Sequence, residues 1–157
     1  MDGCSKGKGV AGAGGVIGDG MGTWLMGFPR NNGVCSSVTA ELWAVYIGLE
    51  LAWTKGFKKV ILESDSVVVI ILIIRNNAIT DRNYNFIMQI RRLLDRDWEV
   101  QTTHVYREAN SAADWLANYG LTRDTLDRNF DVLEEPPSEV YSILYYDLIE
   151  STFFCLI

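Results

Sequence analysis

The spacing of hydrophobic residues changes twice between residues 36 and 75. From Ser36 to Gly56, apolar residues recur at helical spacing and form the core-facing stripe of an amphipathic helix. The stripe consists of Val38, Leu42, Val45, Leu49 and Ala52. From Lys58 to Ser64, three aliphatic residues flanked by polar ones predict a short buried strand. The next segment, Ser66 to Arg75, is rich in β-branched residues, but its position after a strand and a capping serine favours a buried crossover helix.

The segment before residue 36 predicts a hairpin. Residues 11–19 and 22–30 are two candidate strands, and Asp19-Gly20 supplies the turn signal. Glycines at positions 12, 14 and 15 would weaken a strand unless another backbone or a ligand approaches it closely. Residues 1–9 are small and polar, which predicts a loop.

The segment after residue 75 predicts a helix, a strand and a second helix. Residues 81–95 form a second amphipathic helix, and residues 98–106 alternate as a strand does. Asn110 is a suitable N-cap for a last helix, whose Ala113, Leu116 and Ala117 make a small-residue face for close packing. The overall order indicates an α/β domain over residues 1–121. Residues 122–157 differ in character and predict a C-terminal tail with a short helix after Pro137.

Composition narrows the class of protein. A chain of 157 residues, 48% hydrophobic and 22% charged, suits one soluble globular domain. The net charge of −6 argues against a generally basic nucleic-acid-binding surface. Binding of nucleic acid would need bound cations or a local patch, for which Arg91, Arg92 and Arg96 are the best candidates. A solvated helix face is the commoner explanation of such arginines.

The cysteines and the apolar segments predict an intracellular protein. The three cysteines are far apart in the chain and form no C-x-x-C pair, which indicates free thiols in a reducing compartment. No signal peptide is visible at the N-terminus, and the longest apolar run, Val67 to Ile74, is too short to span a membrane. Nucleus and cytoplasm are not distinguished.

Three carboxylate residues lie at positions that often carry functional side chains. Asp65 follows the predicted buried strand, and ligands of open α/β sheets bind at the carboxyl ends of strands. Glu41 lies beside the apolar stripe of the first helix, and Asp114 lies near the start of the last one. Each residue also has an explanation that involves no chemistry. Asp65 or Ser66 would cap the following helix, Glu41 would be a half-exposed glutamate, and Asp114 would be an aspartate at a helix start.

Five sequence blocks, in this order, resemble a known family. They are Asp2-Gly3-Cys4-Ser5-Lys6-Gly7, residues 11–17 (AGAGGVI), residues 40–44 (AELWA), residues 62–66 (LESDS), and residues 104–110 (HVYREAN) with 113–117 (ADWLA). The chain resembles a type 1 ribonuclease H domain, most closely the type attached to plant non-LTR retrotransposon reverse transcriptases. The resemblance covers residues 1–121.

This resemblance implies a fold, an activity and a site. The fold is a mixed five-stranded sheet with helices on both faces. The activity is metal-dependent endonucleolytic hydrolysis of RNA in RNA/DNA hybrids, by a monomer with no membrane partner. Two Mg²⁺ or Mn²⁺ ions would be held by Asp2, Glu41, Asp65 and Asp114. His104, ten residues before Asp114, would assist the nucleophilic water or product release.

The chain departs from the family at its N-terminus. Only Met1 precedes Asp2, so we expect a truncated first strand and weaker support for that acid. The family's Gly-Asn-Pro-Gly-Pro loop is replaced by residues 7–10 (GKGV), one residue shorter and without the substrate-contacting asparagine. These departures leave open an alternative function, a catalytically silent nucleic-acid-binding or interaction domain derived from a retrotransposon.

Overall fold

Three strands come first in the chain, and helices and two further strands follow them. The computed structural model describes residues 2–6 (backbone only), 9–21, 23–75, 81–106, 110–122 and 131–143. In chain order the elements are β1 (Asp2–Lys6), β2 (Val10–Gly18), β3 (Trp24–Val34), α1 (Ser37–Thr54), β4 (Lys59–Ser64), α2 (Val67–Ile74), α3 (Tyr84–Leu94), β5 (Glu99–His104) and α4 (Ser111–Gly120). The predicted α/β class is confirmed.

The five strands form two hydrogen-bonded sheets within the described residues. Strands β1, β2 and β3 are antiparallel in that spatial order, and β4 pairs with β5 in parallel. A single mixed sheet was expected, whereas no backbone ladder joins β1 to β4 in the described part of the chain. The sheets share one hydrophobic core, in which Phe28 of β3 and Leu62 of β4 are both fully buried with Leu42 of α1.

The prediction of a loop over residues 1–9 was wrong for Asp2–Lys6, which is strand β1. This segment pairs with β2 in antiparallel register, with Asp2 opposite Gly14 and Lys6 opposite Val10. Its small polar residues have low strand propensity, but the backbone edge of β2 supplies partners for its N–H and C=O groups. Tertiary pairing therefore outweighs local propensity here.

Helix α1 begins and ends as its sequence predicts. The Ser36 hydroxyl accepts a hydrogen bond from the Thr39 backbone N–H (3.1 Å), which caps the first turn. Gly56, with φ +83°, follows the last turn in the left-handed region that favours glycine. The helix packs on β1 and β2, and its Trp43 ring lies 4.0 Å from the Arg30 guanidinium of β3.

Helix α4 lies directly on the backbone of the antiparallel sheet. A Cβ added at Gly14 would come 2.8 Å from the Ala113 carbonyl oxygen, and one added at Gly120 would come 2.7 Å from the Arg30 backbone nitrogen. The close backbone approach predicted from the β2 glycines is therefore confirmed. Because side chains alternate across a strand, α1 and α4 pack on opposite faces of this sheet.

The expectation that α2 would be buried was wrong for half of the helix. Val69 and Ile73 are buried, whereas four aliphatic residues are at least a third exposed. The exposed residues are Val67, Val68, Ile71 and Ile74. A helix of eight residues that packs on α3, α1, β5 and β4 leaves the side turned away from these neighbours in solvent.

The described part of the tail packs on the domain. Leu133 forms a β-bridge with Gly27 of β3, and its carbonyl oxygen accepts from the Trp24 indole N–H (3.1 Å). Ser138–Val140 is a short 3-10 helix whose Val140 is fully buried. The predicted continuation of this helix beyond residue 143 lies outside the described residues. Among the described thiols, Cys35 is free, and no described helix is long and apolar enough to span a membrane.

Candidate active site

Asp65 lies at the junction between β4 and α2, where the chain leaves the sheet. On one side of it, the Ser64 carbonyl oxygen accepts from the Val105 N–H (2.9 Å). The Ser64 hydroxyl, fully buried, accepts from the Ser66 N–H (3.1 Å). On the other side, the Ser66 hydroxyl accepts from the Val69 N–H and is the N-cap of α2. Ser66 therefore has the capping role that the sequence left open between the two residues.

His104 lies beside Asp65 at the same edge of the parallel sheet. It is the last residue of β5 and pairs in register with Ser64. Its Nε2–H donates to the Asp65 carbonyl oxygen at 3.3 Å. The exposed ring packs edge-to-face on Tyr106, with 5.8 Å between ring centroids. The structure thus brings together two of the five residues predicted for the site.

Asp2 and Asp114 belong to backbone segments that meet at Gly14. Asp2 pairs with Gly14 across the β1–β2 ladder, and α4 lies on Gly14 through the residue preceding Asp114. Asp114 is half-buried in the first turn of α4. Its carbonyl oxygen and Oδ1 accept from the Asn118 amide at 3.0 and 3.5 Å. The Asn118 amide thus lies between the backbone carbonyl and the carboxylate of Asp114.

Glu41 lies on α1, the helix that packs against β1 from the other face. Its side chain is half-buried between the fully buried Ala40 and Leu42. The expected position beside the apolar stripe is therefore confirmed.

The described residues do not gather the predicted metal ligands into one group. Among them, no three His, Cys, Asp or Glu side chains lie close enough together to hold a metal ion. The fourth predicted ligand, the Asp2 side chain, lies outside the described residues. Among the described residues no ladder joins β1 to β4, so no described strand pairing sets the spacing of Asp2 and Asp65. The donor chemistry nonetheless suits Mg²⁺ or Mn²⁺, which prefer carboxylate oxygens.

A polar cluster that the sequence analysis missed joins the first turns of α1 and α3. The Thr39 hydroxyl lies 2.9 Å from the Ser36 hydroxyl and donates to the Asn83 side-chain oxygen at 3.0 Å. Asn83 is the N-cap residue of α3, and its backbone N–H donates to the Asp81 carboxylate. Helix N-termini with hydroxyl and amide groups are suited to binding phosphate. A hydroxyl-rich cap before a helix is the one local signal that points to this cluster.

Two of the three arginines predicted as a basic patch have partners within the protein. Arg91 donates to the carbonyl oxygens of Leu72 and Ile73 at the end of α2, at 2.8 and 3.2 Å. Arg96 pairs with Glu50 at 3.2 Å. Only Arg92 of the three is exposed. The contacts of Arg91 and Arg96 argue against a nucleic-acid-binding patch, and the expected solvated face applies to Arg92 alone of the three.

The fold is that of an α/β protein of the ribonuclease H-like class. The sequence profile of a family described as "Reverse transcriptase-like" matches residues 1–120, and the chain belongs to this family. It is 42% identical over 154 residues to an Arabidopsis thaliana protein named "Putative ribonuclease H protein". The match covers 96% of the chain and 24% of the relative, so the chain spans about a quarter of that curated relative's length.

Solved structures share the fold. Ribonuclease H1 of the archaeon Halobacterium salinarum is 29% identical, with a TM-score of 0.64 over 77% of this chain and 93% of its own. LC11 ribonuclease H1, isolated from compost by a metagenomic approach, is 26% identical, with a TM-score of 0.70 over 77% and 91%. A structure of LC11 ribonuclease H1 with an RNA/DNA hybrid gives 23% identity and a TM-score of 0.67 over 77% and 93%. The predicted ribonuclease H-like domain is confirmed.

Proposed function

We propose that the chain is a nucleic-acid-binding ribonuclease H-like protein that hydrolyses RNA endonucleolytically in RNA/DNA hybrids. The observation that carries the proposal is Asp65, held at the carboxyl end of β4 beside His104 in a ribonuclease H-like fold. The names of a 42% identical relative and of a 29% identical solved structure support the same activity.

Asp2, Glu41, Asp65 and Asp114 would hold the divalent cations. Mg²⁺ or Mn²⁺ bound there would supply positive charge toward the phosphate and a lowered pKa for the attacking water. Without bound cations, the carboxylates of a chain with a net charge of −6 would repel nucleic acid. The bound ions would therefore also allow the chain to bind nucleic acid. Asn118 would orient Asp114 through the hydrogen bonds already described.

The polar cluster of Ser36, Thr39 and Asn83 would bind the nucleic-acid backbone. Hydroxyl and amide groups link two helix N-termini there. Contacts of such groups with phosphate fix the position of the protein on a nucleic acid but carry no information on base sequence. The RNA strand would be distinguished by its 2′-hydroxyls in a shallow minor groove. Recognition would therefore be largely independent of sequence.

A nucleic-acid-binding or interaction domain without turnover is the second candidate. It is favoured by the lack of a three-residue metal group among the described side chains. It is favoured also by the lack of a described ladder between β1 and β4. Such a domain would keep hybrid affinity but show no metal-dependent cleavage.

Cleavage of an end-labelled RNA/DNA hybrid with Mg²⁺ or Mn²⁺ separates the two candidates. The wild-type chain should cut the RNA strand internally, and Asp65→Asn should abolish cutting while leaving the fold intact. Asp97→Asn is the matched control, because Asp97 is exposed and lies just before β5, at the opposite end of that strand from His104. Hybrid binding without cleavage by the wild-type chain would support the second candidate and contradict the first.

A further inference from the structure

We propose that Tyr106 binds the RNA strand of a hybrid, with its ring packed on a ribose in the minor groove close to the phosphate that is cut. This inference rests on the proposed function, because it assigns a residue that contacts the substrate of that reaction. Tyr106 is not one of the residues predicted for the site from the sequence.

Tyr106 lies at the edge of the parallel sheet where Asp65 leaves β4. Strands β4 and β5 pair so that Ser64, the last residue of one, lies opposite His104, the last residue of the other. The next residue, Val105, donates its N–H to the Ser64 carbonyl oxygen at 2.9 Å. Hydrogen bonding therefore ties the chain to the end of β4 as far as the residue before Tyr106.

The Tyr106 side chain is 79% exposed, although most of a tyrosine side chain is apolar. Apart from Tyr141 in the tail, every other described tyrosine, tryptophan and phenylalanine is buried or half-buried. The Tyr106 ring packs edge-to-face on His104, and this contact leaves most of the ring in solvent. Tyrosine has only two side-chain torsions to order, so an exposed ring on a tethered backbone is a preformed contact surface.

The chemistry of this side chain suits a ribose. The ring packs on apolar C–H groups, and the phenolic hydroxyl both donates and accepts hydrogen bonds. An RNA strand presents sugar edges and 2′-hydroxyls in a wide and shallow minor groove. The minor groove of B-form DNA is only about 6 Å wide and admits a ring less readily. Tyr106 therefore fits a duplex that contains RNA better than one that contains DNA alone.

The charge of the chain makes an uncharged contact valuable. Lysine and arginine contacts with phosphate supply much of the affinity of nucleic-acid-binding proteins, whereas this chain has a net charge of −6. Arg91 donates to carbonyl oxygens of α2, and Arg96 pairs with Glu50. Packing of an aromatic ring on a nucleotide adds affinity without positive charge and tolerates any base sequence.

Two substitutions of Tyr106 and one control isolate the contribution of the ring. Tyr106→Ala removes the ring, and Tyr106→Phe keeps the ring without the hydroxyl. Tyr141→Ala is the matched control, because Tyr141 is also more than half exposed but belongs to the tail, at the end of its 3-10 helix. Since both tyrosines are exposed, the variants should keep the fold, which circular dichroism checks.

The test measures kcat and KM for hybrid cleavage, and the affinity for a labelled RNA/DNA hybrid and for a DNA duplex of the same sequence. Affinity is measured by fluorescence anisotropy with Mn²⁺ in chains that also carry Asp65→Asn, so that the RNA strand stays intact. Tyr106→Ala should raise Kd for the hybrid and KM about 10-fold, with little change in kcat. Tyr106→Phe and Tyr141→Ala should stay close to wild type, and no variant should change the affinity for the DNA duplex much.

Three results would overturn the proposal. The first is a Tyr106→Ala chain that binds the hybrid as tightly as Tyr141→Ala does. The second is a Tyr106→Phe chain that loses as much affinity as Tyr106→Ala, and the third is an equal loss of affinity for the DNA duplex. A wild-type chain that cleaves no hybrid, while the Asp65→Asn chain binds it, contradicts the proposed activity alone, and the affinities then decide the role of Tyr106. Absence of both cleavage and binding overturns both proposals.

Discussion

Gly14 of β2 lies against Ala113 of α4 so closely that a Cβ on the glycine would come 2.8 Å from the Ala113 carbonyl oxygen. Because Gly14 has no side chain, α4 packs directly on the backbone of β2. Asp2 is paired with the same glycine, and Asp114 follows the same alanine. The contact therefore sets how closely the backbones of two of the four predicted ligands approach each other.

Gly14→Ala should destabilise the protein by about 1–3 kcal/mol, the usual cost of overpacking, because backbone rather than a flexible side chain opposes the new methyl group. Urea denaturation followed by circular dichroism measures the change. Gly20→Ala is the matched control, since nothing lies within 4 Å of a Cβ there, and it should have almost no effect. Equal stability of the two variants would show that α4 does not rest on β2 in this way.

Arg91→Met should loosen the end of α2. The guanidinium donates to the carbonyl oxygens of Leu72 and Ile73, and hydrogen bonds from charged groups contribute about 1.5–3 kcal/mol. The expected result is faster hydrogen exchange in α2 and a lower denaturation midpoint. Arg92→Met, on the exposed neighbour, is the control and should change neither quantity.

The turn after β2 predicts a small acid-dependent contribution to stability. Backbone N–H groups of Thr23 and Met21 donate to the Asp19 carboxylate and hold its pKa below the ordinary carboxyl value. A lowered folded-state pKa gives stability that is present above the unfolded pKa and is lost as pH falls through the folded one. Asp19→Asn should therefore be less stable than wild type at pH 6, and the gap should close toward pH 2.5. An unchanged gap over that range would contradict the turn geometry.

Local patterns were sufficient where a single segment carries its own signal. The helical stripe and serine cap of α1, the strand before Asp65 and the glycines of β2 each appear in one short window of sequence, and the structure confirms them. Strand β1 was missed because its pairing depends on the edge of β2, and not on the propensity of Asp2–Lys6.

Contacts between distant segments could not be read in the same way. Thr39 and Asn83 are 44 positions apart, and neither residue alone indicates a shared polar cluster. The same holds for Arg91, whose charge suggested nucleic acid but whose partners are two carbonyl groups 18 and 19 positions earlier. The sequence predicted burial of α2 from composition, whereas the structure leaves the side of the helix that carries Val67, Val68, Ile71 and Ile74 in solvent.

The most direct test of the central claim is a calorimetric titration of Mn²⁺ into the wild-type chain and into Asp2→Asn, Glu41→Gln, Asp65→Asn and Asp114→Asn. If the four acids form one metal site, the wild-type chain binds Mn²⁺ and each substitution weakens binding, while Asp97→Asn has no effect. Binding that is absent in wild type, or that survives all four substitutions, would contradict the account.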